Sequence, residues 1–456
     1  MASEKFGFGG LRESELSPGA SPLNLFDPEP METRIHERKP CQAKPTSGIQ
    51  GTGPFEIYIA SEKKSFIDPS SFRINAQFKI RKVNPTTKAV TDLAPVTELK
   101  DIAVAPVNLF TKSIFKDIEV ELESQKISLN ASNTYAIKAY TTTVLSYGTD
   151  AVRSHLRCSY WEKDTPGQYE KLGTNLGAQA RYSYIAGSRM VTMCDNLHTE
   201  LTTTNRYILP AVNIKFKFIV EHPSSFLITK DLNTEYVIEF HDFYLTYDRV
   251  LLKEAVHNEI EKQLQSKAAI YPITRTEIRT KGFATGLSSI EWNNAYQGAL
   301  PDQVGIFMNT QEAADGKASK NIFKFDDFGM VESSLIVNSR RIPAVPIKYD
   351  FANKECISAF RHLFDNTGTD ISNAPSLIDY EDFMGGFTAI IHDLTTDRCA
   401  LYHAHEKQEG SISLDIKLKE PSTVAINVYL IAIYKDHFFI SGPNENRRVS
   451  LVYPTK

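Results

Sequence analysis

The stretch KAYTTTVLSYGTD, residues 138–150, ends in a tripeptide that occurs once more, at the end of SAFRHLFDNTGTD, residues 358–370. The two stretches align without gaps at an offset of 220 residues. In each, apolar side chains stand at i, i+3 and i+7, the spacing of one helix face: Ile137, Tyr140 and Val144, then Ile357, Phe360 and Phe364. We predict two equivalent helices, each ended by a glycine, Gly148 or Gly368, in the left-handed conformation.

Matching strand patterns surround these two helices in the same order. DIEVEL (117–122) precedes the first helix and SLIVN (334–338) the second. Two further segments have counterparts, which are VNIKFKF (212–218) with ISLDIKLK (412–419) and VIEFHDFYLTY (237–247) with VAINVYLIAIY (424–434). The order is kept while the offset shrinks to 187 residues, as shorter loops in a second copy would produce. The chain is therefore predicted to contain one β-rich domain twice, with a chance likeness between β-rich domains as the alternative.

Length and composition agree with two β-domains. The 456 residues correspond to two or three domains of ordinary size, and 26 Phe and 20 Tyr suit pleated sheets. FRINAQFKIRK (72–82) alternates like a half-buried strand, whereas residues 249–269 carry apolar side chains every four residues, like a helix. We predict a mainly β fold of two tandem eight-stranded antiparallel jelly rolls, each with a short helix. The predicted domains are a flexible N-terminal arm at 1–50, jelly roll 1 at 51–248, a linker helix at 249–269 and jelly roll 2 at 270–456.

Charge and cysteine content argue against several classes of function. The net charge is −4, whereas a protein that binds DNA through its backbone usually carries a basic excess, so we expect no specific nucleic-acid binding. The five cysteines are scattered and none forms a CxxC motif, which argues against a disulfide scaffold or a zinc finger. No apolar run reaches the ~18–20 residues of a membrane span.

No motif predicts catalysis or a bound cofactor. Asp327-Phe328-Gly329 matches the metal-binding tripeptide of kinases, but the other kinase motifs are missing, so we interpret it as a turn. His403 and His405 would share one face of a strand and could bind a metal, with His392 and Cys399 nearby in sequence. A pair of solvated imidazoles is the commoner arrangement. We therefore predict no catalytic residue, no cofactor site and no metal site.

The remaining short motifs have ordinary interpretations. The sequon Asn130-Ala131-Ser132 is interpreted as a helix cap, and Gly9-Gly10 in the arm is a conceivable protease cleavage site. Gly385-Gly386 precedes a strand and predicts a turn or bulge. The aromatic side chains of Tyr160-Trp161 and Trp292 are candidate anchors for contacts between subunits if they are exposed, and core residues if they are buried.

The segment SNTYAIKAYTTTVLSYGTDAVRSHLRCSYWEKDTPG (132–167) resembles the major capsid proteins of Polinton/Maverick elements and adintoviruses. The shared features, in order, are Asn133-Thr134-Tyr135, Leu145-Ser146-Tyr147-Gly148, Trp161 and Lys163-Asp164-Thr165. Further matches follow at Tyr271-Pro272-Ile273, AFRHLFDNTGTD (359–370), IDYEDFMGGFTAIIHDLT (378–395) and SISLDIKLKEPSTVAINVY (411–429). The resemblance spans roughly residues 54 to 450, and the N-terminal arm offers least to compare.

The resemblance implies a hexon-like, double jelly-roll major capsid protein with no enzymatic activity and no cofactor. Three copies would form a pseudo-hexagonal capsomer, and neighbouring capsomers would tile an icosahedral shell around double-stranded DNA, together with a penton or minor capsid protein. The protein would reside in the virion after assembly in the cytoplasm or nucleus of the host cell. Two alternatives remain: a β-sandwich binding module, such as a carbohydrate-binding or spike/penton-type virion protein, and an enzyme built on tandem cupin-like rolls.

Overall fold

The computed structural model describes residues 32–46, 48–49, 53–95, 102–128, 134–369, 376–400 and 403–451. All pairings between its named strands are antiparallel. The strands are β1 Ile35–Ala43, β2 Phe55–Ile59, β3 Ser65–Val83, β4 Val90–Asp92, β5 Val104–Pro106, β6 Phe115–Leu122, β7 Gln125–Lys126, β8 Val191–Asn196, β9 Ile214–Val220, β10 Leu227–Thr229, β11 Glu235–Leu252, β12 Ala269–Phe283, β13 Ser289–Ala299, β14 Gln303–Thr310, β15 Met330–Val337, β16 Arg340–Lys348, β17 Ala389–Asp393, β18 Glu409–Leu418, β19 Ile426–Ser441 and β20 Arg448–Leu451. The α-helices are α1 Phe110–Ser113, α2 Tyr135–Ser146, α3 Thr149–Val152, α4 Leu176–Ile185, α5 Pro223–Phe226, α6 Glu254–Leu264, α7 Gln311–Ala314, α8 Ile357–Thr367 and α9 Tyr380–Met384.

Sixteen of these strands form two pairs of sheets with the same strand order. The first half of the chain has sheets β1-β11-β3-β8 and β2-β9-β6-β7, while β4 pairs with β3 and β5 with β10. The second half has sheets β12-β19-β14-β17 and β13-β18-β15-β16, while β20 extends one sheet by pairing with β19. When each set of eight is counted along the chain, both halves read 1-8-3-6 and 2-7-4-5. The predicted fold of two tandem eight-stranded jelly rolls is confirmed.

The equivalences drawn from the sequence hold strand by strand. The pairs DIEVEL with SLIVN, VNIKFKF with ISLDIKLK, and VIEFHDFYLTY with VAINVYLIAIY lie in the fourth, seventh and eighth strands of their rolls. Helices α2 and α8 both connect the fifth strand of a roll to the sixth. The alternation in β3 is also confirmed, because its apolar side chains from Phe72 to Ile80 are buried and the polar ones between them are not.

The first strand of jelly roll 1 lies within the segment that was predicted to be a flexible arm. Ile35–Ala43 form β1, which pairs with residues 245–252 of β11, so the prediction for residues 1–50 is wrong for this part. No period-2 pattern is visible in this segment because β1 is an edge strand and most of its side chains are exposed. We propose that jelly roll 1 begins at Ile35; residues 1–31 lie outside the described residues.

The linker helix is shorter than the predicted 249–269. Backbone pairing extends β11 to Leu252, where Arg249, Val250 and Leu251 oppose residues of β3 and the last residue opposes Ile35. This pairing satisfies the backbone groups that a helix would otherwise use, so α6 begins at Glu254. The helix ends at Leu264, and Ala269 already belongs to β12.

Only one of the two predicted glycine caps is present. Gly368 ends α8 with φ 64° and ψ 26°, which is the left-handed cap that the sequence predicts. Gly148 has φ −88° and ψ 174°, so the predicted left-handed cap is wrong there. After α2 ends at Ser146, Tyr147 is extended and Gly148 is the N-cap of α3, so the chain enters a new helix instead of turning back.

The buried apolar side chains form one continuous cluster through both jelly rolls. The rolls therefore pack against each other through apolar side chains as well as through polar contacts. Among the described helices, none combines the length and the apolar character that crossing a membrane requires.

Candidate functional site: the contact between the two jelly rolls

Helix α2 lies between the two jelly rolls and is buried on nearly all sides. The ring of Tyr140 stacks on Phe323 of the second roll, with centroids 4.1 Å apart and planes 8° apart. On the first-roll side it stacks on Trp161, at 5.5 Å. Tyr140, which belongs to the apolar stripe that the sequence assigned to α2, therefore contacts both rolls.

The connections between the fifth and sixth strands of the two rolls contact each other through backbone groups. The Val144 carbonyl accepts hydrogen bonds from the Leu377 N–H (3.0 Å) and from the Ser376 hydroxyl (2.8 Å). The Gly167 N–H donates to the Gly385 carbonyl at 2.6 Å. A Cβ on Gly385 would lie 2.9 Å from the Gly167 nitrogen, so only glycine permits this approach. The predicted turn at Gly385-Gly386 is confirmed, and its role is close contact between the rolls.

Lys163 of the first roll forms ion pairs with two carboxylates of the second. Its Nζ lies 2.5 Å from Asp379 Oδ2 and 2.8 Å from Asp382 Oδ2. Burial raises the pKa of Asp382 to about 6, although the Lys163 ammonium opposes this effect. At Asp379 burial also raises the pKa, but the hydrogen bonds from Lys163 and from the Asp382 N–H bring it below its usual value. The Lys163 ammonium therefore matters most for Asp382, which is the more buried of the two carboxylates.

A buried arginine organises the segment that carries Trp161 and Lys163. The guanidinium of Arg181 is fully buried and pairs with Asp164 Oδ1 at 2.6 Å. It also donates to the carbonyls of Pro106 (2.8 Å) and Glu162 (2.6 Å). The features Trp and Lys-Asp-Thr, which carry part of the sequence resemblance, thus build the first-roll side of the contact.

A second set of contacts joins the rolls around α6. The Tyr271 hydroxyl of the second roll donates to the Tyr207 carbonyl at 3.0 Å and accepts from the Leu209 N–H at 3.2 Å. The buried Arg447 guanidinium pairs with Glu261 of α6 and donates to the Pro210 carbonyl at 3.3 Å. Between this set and the contact at α2 lies a cavity of about 610 Å³ lined by side chains of both rolls. The rolls therefore contact each other both at α2 and around α6.

The kinase-like tripeptide forms the turn that the sequence predicts. Phe328 and Gly329 have φ 50° and 71°, and the Gly329 N–H donates to Asp327 Oδ1 at 2.7 Å. The turn leads directly into β15. The sequon at 130–132 and Gly9-Gly10 lie outside the described residues.

The aromatic side chains considered as subunit anchors are mostly buried. Trp161 is covered because it stacks on Tyr140, and Trp292 lies in β13 opposite Leu414 of β18. Tyr160 is half-buried, and its hydroxyl donates to the Thr192 carbonyl at 2.6 Å. The possibility of exposed anchors is wrong for both tryptophans, and the alternative of core residues is confirmed for them.

The histidines divide into two groups. Burial lowers the pKa of His392 to about 3, and its ring contacts that of His362 in α8, with the nitrogens 3.4 Å apart. His403 and His405 both contact the carboxylate of Asp397 instead. Sequence reasoning missed Asp397 because an aspartate in a loop several residues away carries no periodic signal.

Comparisons with known proteins agree with this fold. The chain is similar to a chain of the Sputnik virophage structure determined by cryo-electron microscopy, with a TM-score of 0.63, 12% identity, and coverage of 95% of this chain and 92% of that chain. It is similar to the Faustovirus major capsid protein (TM-score 0.55, 8% identity, 91% and 92% covered). It is also similar to the mavirus major capsid protein (TM-score 0.50, 11% identity, 100% and 97% covered).

In sequence, the chain is 24% identical over 331 residues to an uncharacterised protein of Caenorhabditis elegans, covering 72% of this chain and 76% of that protein. No family model matches the chain. The class that these observations define is the double jelly-roll proteins, and at these identities the likeness to solved structures establishes the fold.

Proposed function

We propose that this protein is a major capsid protein whose homotrimers form the pseudo-hexagonal capsomers of an icosahedral shell around double-stranded DNA. The observation that carries the proposal is the pair of equivalent jelly rolls fixed to each other at α2 and around α6. Three such chains supply six similar blocks, which is what a six-sided capsomer requires. The similarity to the Faustovirus and mavirus major capsid proteins supports it.

The rest of the function follows from this assembly. The protein would reside in the virion after assembly in the cytoplasm or nucleus of the host cell, with a penton or minor capsid protein as a further partner. We propose no catalytic residue and no specific binding of nucleic acid. A net charge of −4 suits a shell that encloses DNA without binding it tightly.

The contact inside the chain suggests where neighbouring chains meet. In α2 the stripe of Ile137, Tyr140 and Val144 is buried, and Tyr140 of this stripe stacks on Phe323 of the second roll. The equivalent stripe of α8 is open, because Ile357 is 64% exposed and Phe360 and Phe364 are only half-buried. In a closed ring of six rolls, α8 would occupy the same place at the contact with the next chain. We therefore expect α8 to pack against the first roll of a neighbouring copy.

The first roll has exposed apolar side chains in the connections that α8 would meet. On the second roll, α2 contacts the connection between β14 and β15 and the connection between β16 and β17. The equivalent connections of the first roll carry exposed apolar side chains at Val90, Leu176 and Met190. Apolar side chains on both sides are typical of stable homo-oligomer interfaces.

The experiment is a mass measurement of the purified full chain by light scattering, followed by electron microscopy. The proposal predicts three times the 51.3 kDa of one chain and a six-sided outline. Ile357→Asp should raise the dissociation constant of the trimer by about tenfold or more, because a charge would enter an apolar contact. Leu232→Asp, at an exposed leucine in a turn of the first roll, is the matched control and should leave the trimer intact.

A stable monomer of the wild-type chain would overturn the proposal, and sugar binding by that monomer would favour a binding module instead. A trimer that Ile357→Asp leaves unchanged would retain the capsid function but reject α8 as the contact. Circular dichroism of each variant must match the wild type, so that a change in mass reports assembly and not misfolding.

A further inference from the structure

A cluster of three metal-ligating side chains lies in the connection between β17 and β18, outside the contact between the rolls. Oδ2 of Asp397 lies 2.9 Å from Nε2 of His403, and its Oδ1 lies 2.8 Å from Nε2 of His405. The candidate ligand atoms of the three side chains all lie within 4.8 Å of one another. Two imidazole nitrogens and one carboxylate oxygen form a donor set that zinc uses in three-ligand sites.

The spacing of these atoms is close to what zinc requires. Bonds of ~2.0–2.2 Å in tetrahedral geometry place ligand atoms roughly 3.3–3.5 Å apart. The ion would take the position between the Asp397 carboxylate and the two rings, which would move apart slightly to admit it. The side chains of His403 and Asp397 are 56% and 42% exposed, which leaves room for a water molecule as the fourth ligand.

The environment of the other ring nitrogen of His405 independently indicates a metal site. The His405 side chain is 12% exposed, and its buried Nδ1 has no hydrogen-bond partner among the described residues. This nitrogen lies 3.9 Å from Oδ1 of Asp302, whose Oδ2 accepts a hydrogen bond from the Lys435 N–H at 2.6 Å. A neutral ring with its proton on Nε2 would direct the Nδ1 lone pair toward a carboxylate, which is unfavourable.

A zinc ion on Nε2 removes this conflict. The proton would then be on Nδ1 and would face Asp302, which is the carboxylate–histidine–zinc arrangement that orients metal-binding imidazoles. We propose that Asp397, His403 and His405 bind one zinc ion and that Asp302 orients His405. The ion would join Asp397 to both histidines across a connection in which the described residues form no helix or strand.

The proposal is tested on the full chain purified without a polyhistidine tag. The protein is stripped with a chelator, dialysed, and titrated with zinc chloride by calorimetry, with the bound metal counted by mass spectrometry. We expect one zinc ion per chain for the wild type. His403→Gln and Asp397→Asn alter exposed side chains, so they should fold normally and weaken zinc binding at least about tenfold. His36→Gln, at an exposed histidine of β1, is the matched control and should bind zinc like the wild type.

Asp302→Asn tests the orienting role separately. It retains an oxygen that can accept from the Lys435 N–H but loses the negative charge beside His405, so zinc affinity should fall about 10–100-fold with the stoichiometry unchanged. Absence of stoichiometric zinc in the wild type would overturn the proposal, as would equal affinity of the wild type and His403→Gln. Neither result depends on trimer formation, so the zinc site and the capsid function fail or hold separately.

Discussion

At the residue scale, the Lys163 ammonium of the first jelly roll forms ion pairs with two carboxylates of the second. Replacing it by methionine leaves Asp382 largely buried without its ammonium partner, which should destabilise the protein by about 1–3 kcal/mol at pH 7.5. The measurement is urea denaturation at one fixed protein concentration. Lys267→Met, at an exposed lysine beyond α6, is the control and should change stability little.

The same substitution should show a definite pH dependence. Burial raises the folded-state pKa of Asp382 to about 6, above its usual 3.8, so ionisation of this carboxyl lowers the stability of the folded protein as the pH rises from about 3.8 through about 6. Without Lys163 the pKa of Asp382 would rise further, and the free-energy cost of ionising this buried carboxyl at neutral pH would grow. The loss in free energy of unfolding caused by Lys163→Met should therefore be largest at pH 7.5 and smaller at pH 5, where Asp382 becomes protonated. An equal loss at both pH values would contradict this explanation.

At the element scale, Gly148 and Gly368 follow equivalent helices but have different backbone geometry. Gly368→Ala places a side chain at φ 64° and should cost about 1 kcal/mol, whereas Gly148→Ala, at φ −88°, should stay within about 0.5 kcal/mol of the wild type. Urea denaturation of both variants measures the difference. A larger cost at Gly148 would mean that its surroundings, and not its dihedral angles, require glycine.

The sequence predicted elements well wherever one face is buried and the other is not. The alternation in β3 and the order of the matched strands predicted the fold, because burial of one face of a strand requires an apolar residue at every second position. The edge strand β1 was missed because its exposed side chains show no such alternation. The helix predicted from Arg249 was too long because apolar residues at the end of β11 continued the four-residue spacing of α6 by coincidence.

The candidate site was less predictable than the fold. The stripe of Ile137, Tyr140 and Val144 was visible in the sequence, but the sequence could not indicate that Phe323 of the other roll covers Tyr140. In α8 the expected stripe is not the buried face, because Ala359, Leu363 and Thr367 are buried instead. This difference arises because α2 is enclosed by two rolls and α8 by one. The periodicity of apolar residues predicts which face of a helix is buried, but it does not indicate which part of the molecule covers that face.

At the scale of the whole molecule, the stack at Tyr140 should couple the two rolls. Tyr140→Ala removes a ring held between Trp161 and Phe323 and should cost about 3–5 kcal/mol. In calorimetry we expect one unfolding transition for the wild type and two for Tyr140→Ala, because the loss of this contact would weaken the coupling between the rolls. Tyr140→Phe keeps the stacked ring and is the control; it should retain one transition. Two transitions in the wild type would show that the rolls are not coupled.

Both jelly rolls pair their first strand with their last, β1 with β11 and β12 with β19. During synthesis, neither roll can close its sheet until its eighth strand has left the ribosome. From Leu252 to Ser441, the last residue of β19, the ribosome adds about 190 residues, which takes roughly 10–40 s at about 5–20 residues per second. For that time the first roll must fold with the Tyr140 face of α2 uncovered. The nascent chain thus presents an aromatic surface that the second roll later buries, which makes this interval the period when chaperones would be most needed.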